Sequence, residues 1–135
     1  MMNHPRSPLV AVLNNDPDLI NMLATWFETH GMRVVCASLM DFRRGHEDVA
    51  AFLTQHSPSV MLLDMSMPYG PNWDYYGALQ LIPETSGVPI VVTTSNKRAL
   101  EDVVGPTAAI ELTGTAANLK ELTEAIVGAT RRAVV

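Results

Sequence analysis

Residues Val60-Met61-Leu62-Leu63-Asp64-Met65-Ser66-Met67-Pro68 decide how this chain reads. Four consecutive apolar residues ending on a carboxylate have the pattern of a parallel strand covered on both faces, because such strands lose the alternation of half-exposed ones. An Asp at the last position then stands at the carboxyl edge of the sheet, where open α/β sheets place their ligands. Pro68 argues against an immediate helix and for a loop over that edge.

Outward from this strand, apolar runs alternate with helical periodicity. Leu9 to Leu13 reads as a first strand, followed by Asn14, Asn15 and Asp16-Pro17, an N-cap with proline at the first helical position. The helix that follows carries Leu19, Leu23, Trp26 and Phe27 on one face and ends near Gly31. Met32 to Ala37 reads as strand two, Glu47 to Gln55 as a helix with Val49, Phe52 and Leu53 inward, and Gly77 to Ile82 as a short helix ended by Pro83. Ile90 to Thr93 reads as strand four, Lys97 to Val104 as a helix, and Ala109 to Leu112 as strand five. Asn118 is placed as the cap of the last helix, with Glu121 completing a capping box and Leu119, Leu122 and Ile126 inward. The pattern is (βα)5, and right-handed crossovers make it a three-layer α/β domain of the flavodoxin-like type, a five-stranded parallel sheet of order 2-1-3-4-5.

The bulk properties narrow the function. With 135 residues, 47% of them hydrophobic, the chain reads as a single domain, 1–135, with a core over about 9–129. A formal net charge of −5 argues against a nucleic-acid partner. Cys36 is the one cysteine, so an intrachain disulfide and a thiolate cluster are excluded, and a reducing cytoplasmic setting fits. No window offers the apolar length of a membrane span or a signal h-region. His4, His30, His46 and His56 lack metal-ligand spacing and read as surface residues. Nucleotide-binding glycine motifs and a nucleophile elbow are missing. Cys36 reads as a small core hydrophobe, and Met61, Met65 and Met67 as packing.

The doubly wound order brings the carboxyl ends of strands one and three to one crevice, with those of strands four and five beside it. Asn14, Asn15, Asp16, Asp64, Ser66, Thr94, Ser95 and Thr113 converge there. Singly, each has an ordinary reading as turn chemistry, a cap or strand propensity. Their coincidence at one edge makes them the candidate site.

These residues are similar to those of a known family. Asp64-Met65-Ser66-Met67-Pro68 resembles the phosphoacceptor strand and DxxMP sequence of response-regulator receiver domains, the CheY-like family. Pro89-Ile90-Val91-Val92-Thr93-Thr94-Ser95 resembles its fourth strand with the switch hydroxyl, and Asn14-Asn15-Asp16-Pro17 its first turn. The resemblance runs over about Leu9 to Ala129. It implies a two-component phosphorelay module, not an enzyme, in which Asp64 takes a phosphoryl group from a histidine kinase or phosphotransfer protein. It also implies that Thr94 bonds the phosphoryl oxygens, that Ser66 offers its backbone carbonyl to Mg²⁺ beside Asp64 and Asp16, and that another regulator or a second copy is a partner.

The departures from that family carry their own expectation. Asn14 and Asn15 stand where two acids belong, so Mg²⁺ is expected to bind weakly, and Asp16, one position late, reads as a helix cap. Thr113 occupies the position of the strand-five lysine, and Ile110 that of the aromatic that moves with the switch hydroxyl. Pro68 to Tyr76, with Tyr69, Trp73 and Tyr75, reads as a long loop above Asp64, either a lid or partner surface or a loop packing its own aromatics. The expectation is an atypical receiver with weakened phosphorylation at Asp64. The alternative is a phosphorylation-independent interaction module on the same fold. A cobalamin-binding module, suggested by His30-Gly31-Met32-Arg33-Val34-Val35, lacks that family's Asp-His-Gly loop.

Overall fold

Apolar residues of the central strands point alternately to two helical layers, and that alternation builds the molecule. A computed structural model describes residues 7–45, 47–112 and 116–134, with the side chains of 116 and 132–134 left aside. The readings of His4, His46 and Thr113 lie outside the described residues. The elements are β1 (Leu9–Asn14), α1 (Pro17–Thr29), β2 (Arg33–Ser38), α2 (Leu39–Arg43), α3 (Val49–His56), β3 (Val60–Asp64), α4 (Tyr69–Gln80), a 3₁₀ turn (Pro83–Thr85), β4 (Ile90–Thr94), α5 (Lys97–Val104), β5 (Ile110–Glu111) and α6 (Ala116–Val134). The strands form one parallel sheet in the order β2-β1-β3-β4-β5, as expected.

Ala11, Leu13, Met61 and Leu63 face one side of the sheet, against Phe42, Phe52, Leu79 and Leu100. Val10, Val12, Val60 and Leu62 face the other, against Leu23, Phe27, Leu122 and Ile126. Both faces of β1 and β3 are therefore sealed, which is why their sequences are continuously apolar. Full burial of such a side chain stabilises by roughly 1.5–3 kcal/mol. The register puts Leu13 beside Leu63 and Asp64 beside Thr93, so the carboxyl ends of β1, β3 and β4 meet at one edge.

Three local expectations are corrected, and one helix appears that the sequence reading did not include. The segment after Pro68 is not a loop: α4 begins at Tyr69 with Pro68 as its N-cap, and Asn72 N–H donates to the Pro68 carbonyl at 3.2 Å. Gly70 and Pro71 sit in the first turn, whose N–H groups have no intrahelical acceptor, so neither breaks the helix. The aromatics at Tyr69, Trp73, Tyr75 and Tyr76 pack down on the core rather than arching over Asp64. A short helix, α2, follows β2 directly, with Leu39 and Phe42 buried. Asn118 lies inside the first turn of α6 instead of capping it, because Ala116 and Ala117, strong helix formers, carry the helix further back. Cys36 is exposed, not in the core, since β2 is an edge strand.

Among the described residues, no helix is long and apolar enough to cross a membrane.

Candidate functional site

Asp64 ends β3 at the carboxyl edge, partly buried, with the apolar strand beneath it. Burial and then the negative charge of Asp16 push its carboxyl up to about 6, both causes disfavouring the anion. Thr94, which ends β4, is fully buried, and its hydroxyl accepts from Asn96 N–H at a long 3.5 Å. Ser95, the next residue, is exposed.

The turn after β1 is built from its own side chains. Asn14 is buried, and its Oδ1 accepts from the N–H groups of Asn15 at 2.7 Å and Asp16 at 2.9 Å, an Asx turn that closes the strand. Asn15 is turned toward the neighbouring connection: its Oδ1 accepts from Met40 N–H at 2.7 Å and from the Ser38 hydroxyl at 3.2 Å. Asp16 caps α1, accepting from Asp18 N–H at 3.0 Å and Leu19 N–H at 3.4 Å. The sequence reading of Asp16 as a helix cap agrees with this geometry.

The turn after β3 is held by a residue that sequence reasoning missed. Asn72, 8% exposed, donates its Nδ2–H to the Ser66 carbonyl at 2.7 Å, and its Oδ1 accepts from Arg43 Nη1. Arg43 also lies over the Tyr75 ring, 5.5 Å from its centroid. Burial raises the Tyr75 phenol above its usual value, with Arg43 pulling the other way. Two sequence signals could have found the helices that carry these residues, though not their pairing. Tyr69, Trp73 and Tyr76 have helical spacing, and Leu39 and Phe42 a one-turn apolar repeat after Ser38.

Mg²⁺ keeps a near-octahedral oxygen shell and relies on one or two carboxylates for charge. The oxygens here do not fit that requirement. Asn14 and Asp16 are committed to backbone N–H groups of their own turn, Asn15 faces α2, and the Ser66 carbonyl holds the Asn72 amide. Among the described residues, no three His, Cys, Asp or Glu side chains gather into a metal-binding group.

Comparison with known proteins identifies the architecture. No protein-family model and no curated protein matches the chain. Solved structures do. A sensor protein from Polaromonas sp. JS666 is 19% identical with a TM-score of 0.70, over 96% of this chain and 99% of that one. The chemotaxis response regulator CheY4 of Vibrio cholerae is 17% identical with a TM-score of 0.64, over 89% and 98%. The signal receiver domain of a signal transduction histidine kinase from Syntrophus aciditrophicus is 14% identical with a TM-score of 0.66, over 93% and 91%. At these identities the likeness is one of fold, and the fold is that of response-regulator receiver domains.

Proposed function

We propose that this chain is a receiver-fold signalling module that meets its protein partners without phosphoryl transfer to Asp64. One observation carries the reading: of the oxygens around Asp64, Asn14 Oδ1, Asn15 Oδ1, Asp16 Oδ1 and the Ser66 carbonyl already accept from the protein's own donors. Phosphoryl transfer rests on positioning and on neutralising charge spread over the equatorial oxygens, and this edge supplies neither a free ligand set nor a lysine after β5. The module has no reaction of its own. Its partners, by likeness of fold, are a histidine kinase, a phosphotransfer protein or another regulator.

The second reading keeps Asp64 as a slow phosphoryl acceptor. It is favoured by the register of Asp64 against Thr93, which sets the buried Thr94 hydroxyl one residue further along the same edge. Intact mass after incubation with acetyl phosphate and Mg²⁺ separates the two, with Asp64→Asn as control. No added phosphoryl group is expected; one that the control lacks establishes the second reading.

A further inference from the structure

The outer side of β4 is only partly paired. Leu112 N–H donates to the Thr94 carbonyl at 2.8 Å, so the even-numbered residues of β4 turn their N–H and C=O groups toward β5, while the Thr93 carbonyl accepts from Met65 N–H on the β3 side. Among the described residues, the ladder to β5 holds two pairs, Thr93 with Ile110 and Thr94 with Glu111. The N–H and C=O of Ile90 and the N–H of Val92 lie beyond its end, beside a cavity of about 290 Å³. The approach to β5 accounts for the gap. Thr107 N–H donates to Glu101 Oε2 at 2.9 Å and Ala109 N–H to Thr107 Oγ1 at 3.1 Å, so the chain is tied to α5 and turns on itself before it can run beside Ile90. Ala108 and Ala109 border the cavity with side chains too small to fill it. Ile90 and Val91 stay half-exposed although β4 lies inside the sheet.

The two walls of this slot differ. Trp73 and Tyr76 of α4, in edge-to-face contact at 5.1 Å, close one side and belong to the same apolar cluster as Ile90 and Val92. On the other side α6 presents Ala125 and Gly128, which leave room, and Glu124. Glu124 is exposed, and among the described residues no ion pair or hydrogen bond engages it. We propose that the slot takes an extended segment of a basic partner protein, added to the sheet beside Ile90, Val91 and Val92 with the alternation apolar, basic, apolar. Unpaired strand N–H and C=O groups call for a main chain. Neighbours across a ladder share a face, so the residues beside Ile90 and Val92 meet the aromatic wall and the one beside Val91 meets α6. There a lysine or arginine lays its aliphatic stem over Ala125 and Gly128 and brings its charge to Glu124. The net charge of −5 favours a partner of the same sign.

The proposal deepens the reading of this chain as a docking module, and the two fail separately. Phosphorylation of Asp64, at the carboxyl edge, would overturn that reading and leave the slot beside the amino half of β4 unchanged. The test is amide hydrogen exchange at Ile90 and Val92 in the whole chain, read by NMR, with a blocked pentapeptide alternating valine and lysine and with its valine–glutamate counterpart. In the free protein both amides are expected to exchange faster than those of Val91 and Thr93, which face β3. The lysine peptide at millimolar concentration is expected to slow both by about tenfold, the gain of a hydrogen bond at each. The glutamate peptide is expected to leave them unchanged. Glu124→Gln, an exposed change, should weaken the lysine peptide by up to about fivefold. Ala125→Leu, which narrows the α6 wall, should remove its protection of both amides. Free-protein amides already as protected as Val91 and Thr93 would overturn the proposal, as would a peptide that binds without slowing them or equal protection by the glutamate peptide. Protection that grows with protein concentration alone would assign the slot to a second copy and overturn it too.

Discussion

The side-chain oxygen of Asn15 accepts from Met40 N–H at 2.7 Å, so the residue just after β1 caps a helix that follows β2. Ser38, the residue at the N-cap position of α2, makes no such bond itself. Asn15 therefore does for α2 what a local cap would do, across the connection between neighbouring strands.

Asn15→Ala should cost about 0.5–2 kcal/mol, the usual range for a lost N-cap acceptor, measured by urea unfolding. Asn15→Asp should stay within about 0.5 kcal/mol of wild type, because the carboxylate keeps the acceptor and an anion suits a helix N-terminus. A large loss with Asp would mean that Asn15 works through its amide hydrogens instead.

Asp64 makes stability depend on pH in a direction opposite to that of a salt-bridged acid. Its folded carboxyl lies near 6, above the unfolded value of 3.8, so between these values the native state holds the extra proton. Stability from this group is then present at low pH, falls as pH rises through the window, and stays reduced above it. Asp64→Asn should match wild type near the bottom of the window and exceed it at pH above 7, by on the order of 2–3 kcal/mol at most. Equilibrium unfolding of both proteins across this range checks the sign. A wild type that is relatively favoured at high pH would show that something in solution holds the Asp64 anion.

The fold was legible because its signals are collective. Val60 to Leu63 could be read as a doubly covered strand since two helical layers seal it, and Leu119, Leu122 and Ile126 as an inward face since all three are buried. The candidate edge was legible to the extent that topology alone dictates it: Asn14, Asp64 and Thr94 lie at strand ends whatever their side chains do. What those side chains bond to was not legible. Asn72 sits in Tyr69-Gly70-Pro71-Asn72, which has turn composition, and only the absence of intrahelical acceptors in a first turn lets it begin a helix. Asn15 and Met40, or Arg43 and Asn72, are partners across separate connections, and one sequence carries no local mark of such pairs. Cys36 was read inward because strand residues are usually buried, but an edge strand leaves part of its surface open.

The N-terminus of α5 is capped from two sides, and the two caps should be separable. Asn96 Oδ1 accepts from Ala99 N–H at 3.0 Å, while Glu111 Oε2, from β5, accepts from Lys97 N–H at 3.0 Å. Asn96→Ala should cost about 1 kcal/mol. Glu111→Gln keeps an acceptor but loses the charge facing the helix, and should cost a few tenths to about 1 kcal/mol, less at high salt. Chemical denaturation at two salt concentrations distinguishes them. Salt dependence in Asn96→Ala but not in Glu111→Gln would reverse this assignment.

Cys36 is exposed on edge strand β2, yet its thiol should react slowly. Partial burial first, and then the Glu28 carboxylate, push its pKa above the ordinary thiol value, and the thiolate is the form that attacks. At neutral pH the folded protein should therefore be alkylated by iodoacetamide several-fold more slowly than the same chain in urea, where both influences vanish. Glu28→Gln removes only the smaller cause and should speed the reaction modestly in the folded protein while leaving the urea rate unchanged. Raising the pH should narrow the gap between folded and unfolded rates, because a pKa effect disappears once both thiols are ionised. A gap that persists at high pH would assign the slowness to restricted access at the strand edge rather than to the thiol's ionisation.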